Sequence, residues 1–103
     1  MSTPTSHRVA LVTGSGTGIG RAIALKLATD GYLVIVNSRT ADPSRTDEGA
    51  YEVKATIEAA GGHADVVRGD VSVAADRDHL IDEIEKRLGR LDLLVNNAGV
   101  APD

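Results

Sequence analysis

Apolar positions along this chain fall into runs whose spacing alternates between two kinds. Arg8 to Thr13 (RVALVT) is short and almost continuously apolar, the mark of a strand covered on both faces. After a glycine-rich turn, Ile19, Ile23 and Leu27 recur at helical spacing, and Gly31 stands where a helix ends on glycine. Leu33 to Asn37 (LVIVN) predicts a second strand, and the polar stretch from Ser38 to Asp47, with Asp42-Pro43-Ser44 inside it, predicts a loop. Ala50, Val53, Ile57 and Ala60 trace one face of a second helix closed by Gly61-Gly62. Ala64 to Arg68 (ADVVR) predicts a third strand. From Val73 to Leu88 a third helix is expected to turn Leu80, Ile81, Ile84 and Leu88 to the core. Its outer face pairs Asp82 with Lys86 and Glu83 with Arg87 at i,i+4, which reads as a solvated face. Leu91 to Asn96 (LDLLVN) predicts a fourth strand.

Strictly alternating strands and helices imply right-handed crossovers and an α/β fold, a parallel sheet with helices on both faces. The 103 residues suit one domain and carry no internal repeat. Residues 1–7 (MSTPTSH) are polar and expected to form a flexible tail, with the domain spanning 8–103. The fourth strand is apolar enough to belong inside a sheet, yet few residues follow it. Its outer edge is therefore expected to invite another chain.

Composition narrows the chemistry. There is no Phe or Trp, and Tyr32 and Tyr51 are the only aromatic rings besides histidine, so stacking platforms for single-stranded nucleic acid are missing. The net charge is −4, with no basic block to follow a phosphate backbone, and no nucleic-acid partner is expected. The absence of cysteine excludes disulfides and thiolate chemistry and suits a cytoplasmic location. His7, His63 and His79 are far apart in sequence, so no metal site is expected. No apolar stretch is long enough for a membrane span.

Thr13 to Gly20 reads TGSGTGIG, directly between a strand and a helix. Glycines there let the backbone turn tightly and approach a pyrophosphate, while the helix start adds free N–H donors and positive dipole. Neither G-x-G-x-x-G nor G-x-x-x-x-G-K-[ST] fits, because positions 19 and 21 are Ile19 and Arg21. T-G-x-x-x-G-x-G does fit, through Gly14, Gly18 and Gly20, with Gly16 as an extra. A purely structural turn is the alternative on this motif alone.

Three segments together resemble the short-chain dehydrogenase/reductases: TGSGTGIG at 13–20, Asp70-Val71 after the third strand, and Asn96-Asn97-Ala98-Gly99 ending the fourth. The run VNNAGVAPD further resembles, weakly, the 3-oxoacyl-carrier-protein reductase-like members. The resemblance implies the first half of a Rossmann-type three-layer sheet, β-α-β-α-β-α-β, with strand order 3-2-1-4. It also implies a nicotinamide dinucleotide held by Gly14, Ser15, Gly16, Thr17, Gly18, Ile19 and Gly20 in the turn. Asp70 and Val71 would meet the adenine, and Asn97, Ala98 and Gly99 would lie at the crevice where the strand order reverses. For Asp70 the plainer role is helix capping, and for Asn96-Asn97 a polar turn.

Cofactor preference is read from the end of strand two, where an NAD-selecting Asp or Glu usually sits. Here the stretch is Val36-Asn37-Ser38-Arg39, and the first acid beyond it is Asp42. Arg39 could pair with a 2′-phosphate, with Ser38 and Asn37 adding neutral hydrogen bonds, so NADP(H) is expected over NAD(H). Thr17 stands where NADP-preferring relatives often carry a basic residue, and a solvated loop arginine is the plain alternative for Arg39. The family's catalytic Ser, Tyr and Lys are expected beyond Asp103, and no catalytic residue is assigned. Tyr51 and Lys54 are i,i+3 in the second helix, a surface pair rather than that dyad.

The function expected is thus the cofactor-binding half of an NADP(H)-dependent oxidoreductase acting on a small carbonyl/alcohol substrate, inactive as this chain alone. Its partners would include a second copy or another chain at the open strand edge. The alternative is a non-catalytic nucleotide-binding or interaction module using the same edge.

Overall fold

A computed structural model describes residues 5–97. Among them the elements run β1 (Val9–Val12), α1 (Gly18–Thr29), β2 (Leu33–Ser38), α2 (Gly49–Ala59), β3 (His63–Arg68), α3 (Ala74–Leu88) and β4 (Leu93–Val95). All strand pairings are parallel, in the order β3-β2-β1-β4, as the alternation and the resemblance implied. β1 and β2 register Val9 on Leu33 through Val12 on Val36, and β3 continues the sheet from His63 opposite Leu33 to Arg68 opposite Ser38.

Side chains alternate across the central strands and divide the core in two. Val12, Val34, Val36 and Val66 face α1 and α2, meeting Ala24, Ala50, Val53 and Ile57. Val9, Leu11, Ile35 and Val67 face α3 and pack on Leu80 and Ile84. The division follows from crossover handedness. The chain steps outward from β1 to β3 with two helices on one face, then returns over the sheet to β4 with α3 on the other.

The stripe expected on α1 is shifted. Ile19 is 74% exposed, while Gly20 and Ala24 face the sheet and Ile23 and Leu27 are only half-buried beside them. Small residues let α1 lie close over β1, and the larger aliphatics flank that contact. On α3, Leu80 and Ile84 are buried, whereas Ile81 is 48% exposed at the rim of a groove.

β4 is shorter than its apolar run, three residues with Leu94 exposed, and it forms the sheet edge among the described residues. Its pairing is extended by a side chain. Asp92 accepts a hydrogen bond from the Val9 N–H at 2.8 Å, and its own N–H donates to the Val9 carbonyl at 2.9 Å. Arg90 holds the same carboxylate at 2.7 and 2.8 Å. Of the expected tail, Thr5 donates its N–H to the Leu88 carbonyl, and the His7 ring meets His63 at 4.2 Å between centroids.

Across the other face, Arg21 of α1 grips Glu52 of α2 through two 2.9 Å hydrogen bonds, and Thr56 adds a third to that carboxylate. The Arg21 and Thr56 bonds hold Glu52 down at about 2, and Arg90 with the Val9 N–H does the same for Asp92. Both carboxylates are favoured in the folded state, so their stabilisation is full above the ordinary values of 4.5 and 3.8 and fades as pH falls toward 2. Asp42, Asp47 and Asp70 are lowered too and add to the same trend. The urea midpoint should therefore be level from neutral pH down to about pH 5 and then fall. A Glu52→Gln, Asp92→Asn double variant should be less stable at neutral pH and show a shallower acid decline, measured by circular dichroism.

Candidate functional site

The C-terminal ends of β1, β2 and β3 open onto one cleft of about 310 Å³, walled by Gly14, Gly16 and Thr17 on one side and by Ser38, Arg39, Asp70 and Val71 on the other. The turn from β1 to α1 forms the floor. Gly14 and Gly18 have φ of +61° and +59°, a left-handed backbone that side chains rarely adopt. Gly20 is required for a different reason. A Cβ there would collide with the Gly14 carbonyl and lie 2.7 Å from Asn97 Nδ2. Gly16, the extra glycine of the motif, packs on the start of α2, where an added Cβ would sit 3.1 Å from the Ala50 nitrogen.

The turn is stitched to the sheet by two buried residues. Ser15 donates its hydroxyl to the Val12 carbonyl at 2.7 Å and accepts the Asn37 N–H at 2.9 Å, while its own N–H donates to the Asn37 carbonyl at 2.8 Å. Asn37 Oδ1 takes the Gly14 N–H at 3.2 Å, and its Nδ2 donates to the carbonyls of Val67 and Gly69 at 3.1 and 3.2 Å. The donors of Ser15 and the N–H of Gly14 are thus engaged inside the protein. Those of the first α1 turn have no intrahelical acceptor, since the helical ladder opens with the Arg21 N–H on the Thr17 carbonyl. No side chain caps that turn, and its open N–H groups with their positive dipole suit an anion.

Asn37 departs from its expected part. Its carboxamide was read as a donor toward a 2′-phosphate, but the side chain is buried and occupied by the turn and β3. A polar residue ending an apolar strand was the available signal, and it fits either role. Ser38 is half-buried, and its Oγ accepts the Thr40 N–H at 3.2 Å.

Arg39 stands exposed at the cleft mouth. Its guanidinium has no hydrogen bond or ion pair among the described residues, although Asp70 lies within Coulombic reach. Arg8 covers the Tyr32 ring, Arg45 is paired with Asp47 and Glu48, and Arg21, Arg68, Arg77, Arg87 and Arg90 all donate hydrogen bonds. Asp42, the first acid beyond β2, is folded back on Ser44 and lines an adjoining cleft of about 370 Å³ with Arg45 and Glu48, which shares Thr17, Thr40 and Gly49 with the first.

On the opposite wall Asp70 accepts the Ser72 N–H and hydroxyl at 2.9 and 2.6 Å, bonds that hold its carboxyl below the usual range. Its N–H donates to Asp76. Asp70 therefore shapes the turn before α3, whose N-cap is Val73. Arg77 fixes the neighbouring Val71 carbonyl at 2.8 Å. Asn97 donates Nδ2 to the Gly14 carbonyl at 3.1 Å and its N–H to the Thr13 hydroxyl at 3.0 Å, tying the end of β4 to the glycine turn. Ala98 and Gly99 lie outside the described residues. Tyr51 packs beside the α1–α2 core and Lys54 pairs with Glu58, so neither reaches the cleft. No three His, Cys, Asp or Glu side chains cluster for a metal among the described residues, and no helix there is long and apolar enough to cross a membrane.

Residues 8–103 match the family described as short chain dehydrogenase. The L-2,3-butanediol dehydrogenase of Corynebacterium glutamicum is 47% identical over 94 residues, covering 91% of this chain and 35% of that protein. A short-chain dehydrogenase from Mycobacterium avium superposes with a TM-score of 0.84 at 39% identity, over 93% of this chain and 35% of its own. Several curated relatives are likewise spanned over only 33–36% of their length. The short-chain dehydrogenase/reductase homolog YusS of Bacillus subtilis, 42% identical over 94 residues, is spanned over 82%.

Two substitutions probe the turn. Asn37→Ala strips partners from the Gly14 N–H and two carbonyls and should cost roughly 3 kcal/mol. Gly20→Ala forces α1 off the turn and should cost about 1–3 kcal/mol. Urea unfolding of each reads these losses, and unchanged midpoints would mean the turn does not depend on these contacts.

Proposed function

The chain belongs to the short-chain dehydrogenase family, and on that footing we propose that it is the nucleotide-binding half of an NADP(H)-dependent oxidoreductase acting on a small carbonyl/alcohol pair. The observation that carries the cofactor preference is the Arg39 guanidinium, without a bonded partner among the described residues at the mouth of the cleft, while Asp42 lines the neighbouring one. A 2′-phosphate there gains a charge-assisted contact and meets no facing carboxylate at the end of β2.

The donor set fits a dinucleotide. The amides of Gly18, Ile19 and Gly20 receive the pyrophosphate at the start of α1, with Gly16 and Thr17 keeping the approach open. Ser15 and Gly14 shape the turn through their internal bonds. Asp70 accepts from the adenine amino group and Val71 packs on the ring, while Ser38 supports Arg39 at the ribose. Asn97, with Ala98 and Gly99 after it, orients the cofactor toward the reacting end. Bound nicotinamide supplies or accepts the hydride. The Tyr51 and Lys54 side chains lie away from the cleft, and the roles proposed for this chain's residues are those of cofactor binding.

Fluorescence titration with NADPH and NADH tests this. Arg39→Ala should weaken NADPH binding about tenfold or more while leaving NADH nearly unchanged. An unaltered preference removes the assignment.

A second reading, a non-catalytic nucleotide-binding or interaction module docking through β4, is favoured by Leu94, exposed on the strand that forms the sheet edge among the described residues. Leu94 and Ile81 border a groove of about 850 Å³ between α3 and that edge. Under it, the full chain should sediment as a dimer or higher species, and Leu94→Lys should return it to monomer. A monomer at all concentrations rejects it.

A further inference from the structure

The Arg39 guanidinium has no hydrogen bond or ion pair among the described residues, but its backbone is held, and one of the holds comes from a neighbouring strand. Arg68 is the last residue of β3, opposite Ser38 in the sheet register. Its Nε donates to the Arg39 carbonyl at 3.1 Å, one residue beyond the end of β2. The Gly69 N–H donates to the Ser38 carbonyl at 3.2 Å, and the Thr40 N–H folds back on Ser38 Oγ at 3.2 Å. Residues 38–40 are thereby gripped at successive positions as they leave the sheet. Only the grip on Arg39 itself depends on a side chain from β3.

The direction of that contact matters. Past β2 the chain enters an exposed loop, where Asp42, Arg45, Asp47 and Glu48 carry both signs of charge. Without a tether, the Arg39 backbone is free to follow the loop and carry its guanidinium toward Asp42 or Glu48 in the adjacent cleft. Arg68 also lies within Coulombic reach of Asp42.

We infer that Arg68 is a positioning residue for cofactor discrimination: its Nε bond to the Arg39 carbonyl keeps the Arg39 guanidinium at the mouth of the dinucleotide cleft, facing the ribose 2′-phosphate. This role presupposes the 2′-phosphate assignment of Arg39. It asks for a hydrogen-bond donor at one point along the side chain, which a lysine ammonium at the end of a longer stem does not supply.

Dissociation constants for NADPH and NADH, from cofactor fluorescence with the full chain, test it in Arg68→Met, Arg68→Lys, Arg39→Ala and the Arg39→Ala, Arg68→Met double variant. Both Arg68 variants should weaken NADPH roughly fivefold, the net size of one hydrogen bond, and leave NADH within about twofold. In the Arg39→Ala background Arg68→Met should change the NADPH to NADH ratio no further, because the two act through one contact. Equal weakening of both cofactors would overturn the role as merely structural. Full retention in Arg68→Lys would replace it by a simple charge effect. If Arg39→Ala shifts the preference and Arg68→Met does not, the positioning role alone fails. If Arg39→Ala shifts nothing, both fall together.

Discussion

The carboxamide of Asn37 lies buried where the chain leaves the sheet and bonds to two neighbouring segments, the glycine turn after β1 and the exit of β3, while the Asn37 backbone exchanges hydrogen bonds with Ser15. Both kinds of group are needed at one point, an acceptor for the Gly14 N–H and donors for the Val67 and Gly69 carbonyls. An aspartate would face those carbonyls with a second acceptor, and an aliphatic residue would strand all three groups away from water. Among the described residues no buried side-chain polar atom is left without a partner, so the site's rigidity is not achieved by tolerating an unsatisfied one.

From that anchor the division of labour among amides follows. The N–H groups of Gly14 and Ser15 point inward and hold the turn, which leaves those at the start of α1 for a ligand. Gly20 allows the helix to sit against the turn closely enough for this, and Asn97 closes the arrangement from β4. On the far wall, Asp70, Ser72, Asp76 and Arg77 fix the entry to α3 in a similar way. Between these walls Arg39 is the cleft cation without a hydrogen bond or ion pair among the described residues.

Element order and parallel pairing were legible because they depend on local periodicity and on crossover handedness, which short windows and chirality already contain, whereas the strand order came only with the family resemblance. The exposed Ile19 was not, because a four-residue repeat cannot tell the inner line of a helix from its flank when Gly20 and Ala24 compete for the same face. The glycine motif announced a tight turn between β1 and α1. The inward roles of Ser15 and Asn37 stayed hidden, since they join positions 22 residues apart across two strands. The Asp92 bond to Val9 spans 83 residues and leaves no trace in local pattern. Asp70 lines the cleft, and its bonds to Ser72 show a turn-forming part in place of the helix capping that was the plainer expectation.

The loop between β2 and α2 is clamped at both ends. Arg68 and Gly69 hold its start, and the contact of Gly16 with the first residues of α2 holds its finish on the glycine turn. Between these clamps the chain is exposed apart from Ala41, which tucks into the α1–α2 core. Such a segment behaves as an interchangeable cassette: its length and charge can change without disturbing the sheet or the glycine turn. Variation at the mouth of the cleft is thereby decoupled from the stability of the scaffold beneath it.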